Sequence, residues 1–186
     1  MNFLTSSLLL VALVVAGPSM ASDTIILDTE FPLNPPQENN KGPYVRETHG
    51  IWEVRCVKID EKENCTLYQL LKDKNDISVA EINIEVLPEG SQASAGITVI
   101  TPLGTLLTAQ LGWSIDANRV RKYSFSWCEQ SGCVARFGLT NEDVLSMKKG
   151  ASGKVSVVSI SNPEELFELT LSLNGFTAAW NSATPN

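Results

Sequence analysis

Glu81-Ile82-Asn83-Ile84-Glu85-Val86 alternates polar and apolar residues without interruption, and that alternation decides the fold class. Successive side chains of a strand point to opposite faces. Ile82, Ile84 and Val86 therefore share a dry face, and Glu81, Asn83 and Glu85 share a wet one. The same reading extends back to Ile77 and outward in both directions. Ile51-Trp52-Glu53-Val54-Arg55-Cys56-Val57 alternates and is rich in β-branched and aromatic residues. Gly96 to Ile100 is apolar and precedes the breakers Pro102 and Gly104; a further apolar run follows at Thr105–Leu111. Lys122 to Trp127 alternates again, placing Tyr123, Phe125 and Trp127 on one face. Val134–Leu139, Val155–Ile160 and Leu166–Leu173 complete about eight strand candidates. No strand–helix alternation is visible, which disfavours a parallel sheet. The expected fold is mainly β: an antiparallel β-sandwich with one or two short helices, stapled by two disulfides.

The helices announce themselves by their ends. Thr140-Asn141-Glu142-Asp143 offers a hydroxyl N-cap and an acidic first turn. Val144, Leu145 and Met147 form the apolar stripe, Lys148 and Lys149 sit at the negative end, and Gly150 is suited to a left-handed stop. A second short helix is expected after Asn174-Gly175, at Phe176–Trp180. Both read as lids on the end of the sandwich.

Residues 1–21 contain no Asp, Glu, Lys or Arg, and Leu8–Ala16 is an apolar run followed by Gly17-Pro18 and the small-x-small pattern Ser19-Met20-Ala21. This is the layout of a cleaved signal peptide. An uncleaved anchor is the competing reading, but the run falls short of the ~20 residues a bilayer requires. Ser22 to about Tyr44 reads as an extended Pro-rich arm, with Pro32, Pro35, Pro36 and Pro43 and little to bury. The domain is expected over residues 45–182, with a tail at 183–186.

Behind an export signal, four cysteines imply disulfides. Three connectivities are possible; Cys56–Cys65 and Cys128–Cys133 are favoured because each pair lies within one β-turn-β unit. Zinc fingers use tighter knuckles and more histidines than C-x8-C, C-x4-C and the single His49 provide, and a C-x-x-C redox pair is absent. A formal charge of −7 and a pI near 4.7 argue against nucleic acid, which demands a cationic footprint.

Catalytic readings are weak. His49 is accompanied by no Gly-x-Ser-x-Gly elbow. Glu81 and Glu85 belong to a wet strand face, and Asp60, Glu61 and Glu63 lie in the loop closed by the first cysteine pair. Asn64-Cys65-Thr66 fits a glycosylation sequon formally, beside a half-cystine. Tyr123, Phe125 and Trp127 could stack sugars, although core packing is the expectation at strand spacing. An outer-membrane barrel needs longer strands than these. No catalytic, metal or cofactor residue is assigned.

Taken together, Trp52-x-x-x-Cys56, Cys65, Ile100-Thr101-Pro102-Leu103-Gly104 and Trp113-Ser114-Ile115-Asp116 resemble the invasion-associated locus B family of bacterial envelope proteins. Tyr123-Ser124-Phe125-Ser126-Trp127-Cys128-Glu129-Gln130-Ser131-Gly132-Cys133-Val134-Ala135 is the longest matching piece, and the helix end Leu145–Gly150 and the close Leu171–Ala179 fit the same pattern. The agreement runs from about Gly50 to Ala179, leaving the arm outside. The resemblance implies an exported protein, periplasmic, outer-membrane-associated or secreted, with no established enzymatic activity or cofactor, and so a non-enzyme is expected. It further implies Cys56, Cys65, Cys128 and Cys133 as staples and turns at Gly104 and Gly132. In some pathogens the family contributes to host-cell entry. The expected function is binding of a protein or glycan partner at the envelope or host surface. The alternative is an envelope hydrolase or carbohydrate-active domain built on clustered carboxylates.

Overall fold

The computed structural model describes residues 42–75 and 77–184. The expected leader and nearly all of the arm lie outside them, as do the last two residues. In chain order the elements are β1 (Tyr44–His49), β2 (Trp52–Ile59), β3 (Lys62–Lys72), β4 (Ser78–Val86), β5 (Ala95–Thr101), β6 (Leu111–Ile115), β7 (Arg121–Tyr123), β8 (Phe125–Glu129), β9 (Gly132–Leu139), α1 (Asn141–Lys149), β10 (Ser152–Ser159), β11 (Asn162–Ser172) and α2 (Phe176–Ala183). Seven strands form one sheet in the order β1-β2-β3-β4-β5-β9-β8, and four form a second in the order β11-β10-β6-β7. The strand pairings are antiparallel.

The inner faces of both sheets share one core. Trp52, Val54, Leu67, Ile82, Ile84, Ile97 and Val99 come from the larger sheet; Leu111, Trp113, Val155, Leu169 and Leu171 come from the smaller. The alternation at Glu81–Val86 is realised as read: Ile82 and Ile84 are fully buried, Glu81 and Glu85 outward. Both disulfides cross-link directly opposed residues of a hairpin. Cys56 faces Cys65 across β2–β3, and Cys128 faces Cys133 across β8–β9. In the chain-entropy picture, loops this short contribute about 2–3 kcal/mol each.

Four sequence expectations change. Thr105–Leu111 is not a strand: Leu107–Ala109 is a solvent-facing 3-10 turn, Gln110 takes φ 59°, and β6 begins only at Leu111. Lys122–Trp127 is not one strand either. The chain changes sheets at Ser124, so Tyr123 ends β7 of the small sheet while Phe125 and Trp127 lie in β8 of the large one. Leu145 faces solvent, and α1 buries Val144 and Met147. Gly150 is extended (φ −74°, ψ 161°) rather than left-handed. Its role is clearance: a Cβ there would stand 2.8 Å from Asp116 Oδ2 and 2.9 Å from Leu173 Cδ1.

The N-terminus of α1 matches its reading fully. Thr140 Oγ1 accepts from the Asp143 amide at 3.2 Å, and Asp143 Oδ2 accepts from the Thr140 amide at 3.0 Å. This reciprocal box satisfies two backbone donors that a helix start leaves unpaired. α2 is less a lid than a piece of core. Phe176, Ala179, Trp180 and Ala183 are buried, with Phe176 edge-on to Trp52 at 5.3 Å. The helix runs to Ala183, taking in the first residue of the expected tail.

β1 and β3 have no counterpart among the strand candidates. In β3 the alternation is inverted. The inward stripe is Leu67-x-Gln69-x-Leu71, with a polar residue at its centre, while Leu70 points outward and is 42% exposed.

Candidate functional site

The residues singled out in the sequence do not converge. His49 ends β1, and its Nε2 pairs with Glu47 Oε2 at 2.8 Å on the same strand. The Ser182 hydroxyl of the same cluster is engaged by Arg46 Nη2 at 2.7 Å and by Glu47. Asp60 and Glu61 occupy the β2–β3 turn, whereas Glu63 is engaged by the Tyr44 hydroxyl and by Arg46 Nη1 at 2.7 Å. Those two donors hold its carboxyl below the ordinary range, against a smaller opposing effect of burial. Arg46 also donates to the Ser182 carbonyl at 2.5 Å, so this cluster ties β1 and β3 to the end of α2. It is structural.

Among the described residues, Cys56, Glu63 and Cys65 bring potential metal-ligand atoms within 4.8 Å of one another. Both sulfurs are consumed by the disulfide, so the thiolates that zinc would require are missing. Of the aromatic trio, Tyr123 and Phe125 are half-buried. Trp127 is 45% exposed on the outer side of the edge strand β8, contrary to the expectation of core.

Two of the grooves among the described residues bear on function. One, of about 340 Å³, lies on the outer face of the large sheet. The β5–β9 register sets Gly96 opposite Gly138 and Thr98 opposite Arg136, which bares a strip of backbone flanked by Asn83, Glu85 and Arg136. The larger groove, of about 740 Å³, lies between the β6–β7 edge and α1. It is lined by Asn118, Arg119, Arg121, Lys122, Tyr123 and, from α1, Asp143 and Ser146.

The walls of the larger groove are fixed from within. Tyr123 stacks flat on Phe137 at 3.6 Å, and Phe137 in turn meets Trp113 edge-on at 5.7 Å. The Trp113 indole N–H is buried without an acceptor among the described residues. Arg121 grips Asp143 through two bonds of 2.7 and 3.2 Å, joining the small sheet to α1. Burial works to raise the Asp143 carboxyl, but the Arg121 guanidinium and the Thr140 amide outweigh it and hold the group below its ordinary range. Asp143 is therefore an ion-paired cap. Arg119 has no acceptor among the described residues, and Lys122 Nζ reaches only the Ala109 carbonyl at 3.3 Å.

The sequence did carry a signal for this groove that composition masks. Arg119-Val120-Arg121-Lys122 concentrates three of the chain's 14 basic residues in four positions. Overall acidity hid a local cationic edge.

Comparison with known proteins agrees with this architecture. The family model described as "Invasion associated locus B (IalB) protein" matches residues 52–184. "Invasion protein B" of Bartonella bacilliformis is 25% identical over 148 residues, covering 78% of this chain and 77% of that protein. The crystal structure of invasion associated protein B from Bartonella henselae superposes with a TM-score of 0.63 at 20% identity, over 74% of this chain and 92% of that one; it shows a shared fold. The matched span runs from the first buried tryptophan of β2 to the end of α2, taking in both hairpin disulfides, so this chain belongs to the invasion-associated locus B family.

Proposed function

We propose that this chain is an exported envelope protein that works by binding a protein or glycan partner, without catalysis. One observation carries the reading. The groove between the β6–β7 edge and α1 presents three cations and a single carboxylate that is already ion-paired and committed to a helix cap. Two-carboxylate hydrolysis needs a pair of carboxyls about 5–10 Å apart across the scissile bond. The groove on the large sheet likewise holds one carboxylate, Glu85. The hydrolase alternative therefore has no support from either groove.

Export is supported by the two disulfides, which persist in oxidising compartments. No helix among the described residues is long and apolar enough to cross a membrane. The relatives' names point to host-cell invasion, and attachment at the envelope or host surface is the form such a contribution takes here.

The test is retention of the purified mature chain, residues 22–186, on bacterial envelope fractions and on host-cell membranes, with and without residues 22–44. Saturable retention that survives removal of the arm is the expected result. Turnover of an envelope glycan, abolished by Glu85→Gln or Asp143→Asn in a folded protein, would overturn the reading.

A further inference from the structure

Charge runs against the rest of the molecule in the groove between the β6–β7 edge and α1. The chain carries −7 overall, yet Arg119, Arg121 and Lys122 line this groove against the single carboxylate of Asp143. Arg121 and Asp143 neutralise each other. Arg119 and Lys122 are left as uncompensated, exposed cations at the rim of a rigid concavity.

We propose that this groove binds a saccharide bearing a tetrahedral oxyanion, either sulfate or phosphate. The proposal deepens the binding function above and rests on it. A guanidinium presents paired N–H donors that match two oxygens of such an anion, and an ammonium adds a second point charge. Asn118 and Ser146 supply neutral hydrogen-bonding groups suited to sugar hydroxyls. A volume of about 740 Å³ is far more than a free ion fills and falls within the range of small-ligand sites.

An acidic peptide fits less well. Peptides that dock on a sheet edge extend its ladder, and β7 offers only three residues before the chain leaves the sheet at Ser124. Val120 is the one exposed aliphatic side chain among the residues lining the groove, a single anchor for the side chains of a peptide. The walls need no ordering on binding, because the Thr140–Asp143 box and the Tyr123–Phe137 stack already hold them.

Calorimetric titration of the mature chain at low salt tests this. The probes are a sulfated oligosaccharide, its desulfated counterpart, a phosphorylated envelope core oligosaccharide, inorganic sulfate and a hexaglutamate peptide. Binding of either charged saccharide supports the proposal, and which of the two binds tells the host source from the bacterial one. The desulfated sugar and free sulfate are expected to bind at least tenfold more weakly. Arg119→Ala and Lys122→Ala should each weaken binding about tenfold at an unchanged melting temperature, with Arg119→Lys intermediate, and added salt should weaken it further. Equal binding of the desulfated sugar, tighter binding of the peptide, or full affinity in the Arg119→Ala/Lys122→Ala double variant would each overturn it. If that double variant still adheres to envelope or host membranes like the parent, the groove assignment falls while the binding function stands. If the parent chain adheres to neither, both fall.

Discussion

Gly175 sits at φ 88°, with the carbonyl of His49 pressed against the position a Cβ would take. Gly50 faces it from the other side, at φ 62°, and a Cβ there would lie 2.5 Å from the Asn174 carbonyl. The β1–β2 turn and the β11–α2 junction thus touch backbone to backbone, which only residues without side chains permit. Gly175→Ala is expected to lose at least ~2 kcal/mol, from left-handed strain and the enforced separation of these turns, read as a lowered urea midpoint. Gln69 matters at the same scale. Although 1% exposed, it is fully used: its Nε2 donates to the Ser172 carbonyl and its Oε1 accepts from the Ser172 amide, both at 2.9 Å. Trp52 Nε1 donates to that carbonyl as well. Gln69→Leu strips the amide of its acceptor and should cost about 2–3 kcal/mol in denaturant unfolding, despite being more apolar.

At the level of elements, a single carboxylate with two duties ties the start of α1 to the small sheet, beside the burial of Val144 and Met147. Asp143 completes the cap with Thr140 and pairs with Arg121 on β7. Its folded-state pKa is depressed, so the stabilisation is complete above the unfolded aspartate value near 4 and is lost as pH falls through the lower folded value. The stabilities of the parent and Asp143→Asn, read from thermal unfolding, should differ most at neutral pH, by roughly 1–2 kcal/mol, and converge once the pH falls below the depressed folded value. The caps of α1 were legible because capping is a local matter of residues within one turn. β3 was not, because its inward stripe contains Gln69, whose partners lie 103 residues away, and its outward face contains Tyr68, buried under the Arg55 guanidinium at 3.2 Å. Hydrophobicity misreports both faces when a buried polar group is satisfied and an outward ring is covered.

Across the whole molecule, both sheets and both helices contribute to one core, and no second one exists among the described residues for part of the domain to rely on. Unfolding should therefore be a single transition, with tryptophan near-UV and backbone far-UV circular dichroism superimposing in denaturant. Separate midpoints would show that one sheet can melt alone.

The sequence by itself determined the mainly β class, the wet and dry faces of β4, the α1 cap, and two short-range cysteine pairs. These depend on period, spacing and neighbours within one turn or hairpin. Only the tertiary structure decided that Tyr123 and Phe125 belong to different sheets, since the alternation in the sequence runs unbroken through the crossover at Ser124 and the bulge between Phe125 and Trp127. It alone also brought Arg119, Arg121 and Lys122 against Asp143 of α1. Periodicity fixes which way a side chain points. What it points at depends on which strand becomes its neighbour, and that is settled by burying a shared core among segments far apart in the chain.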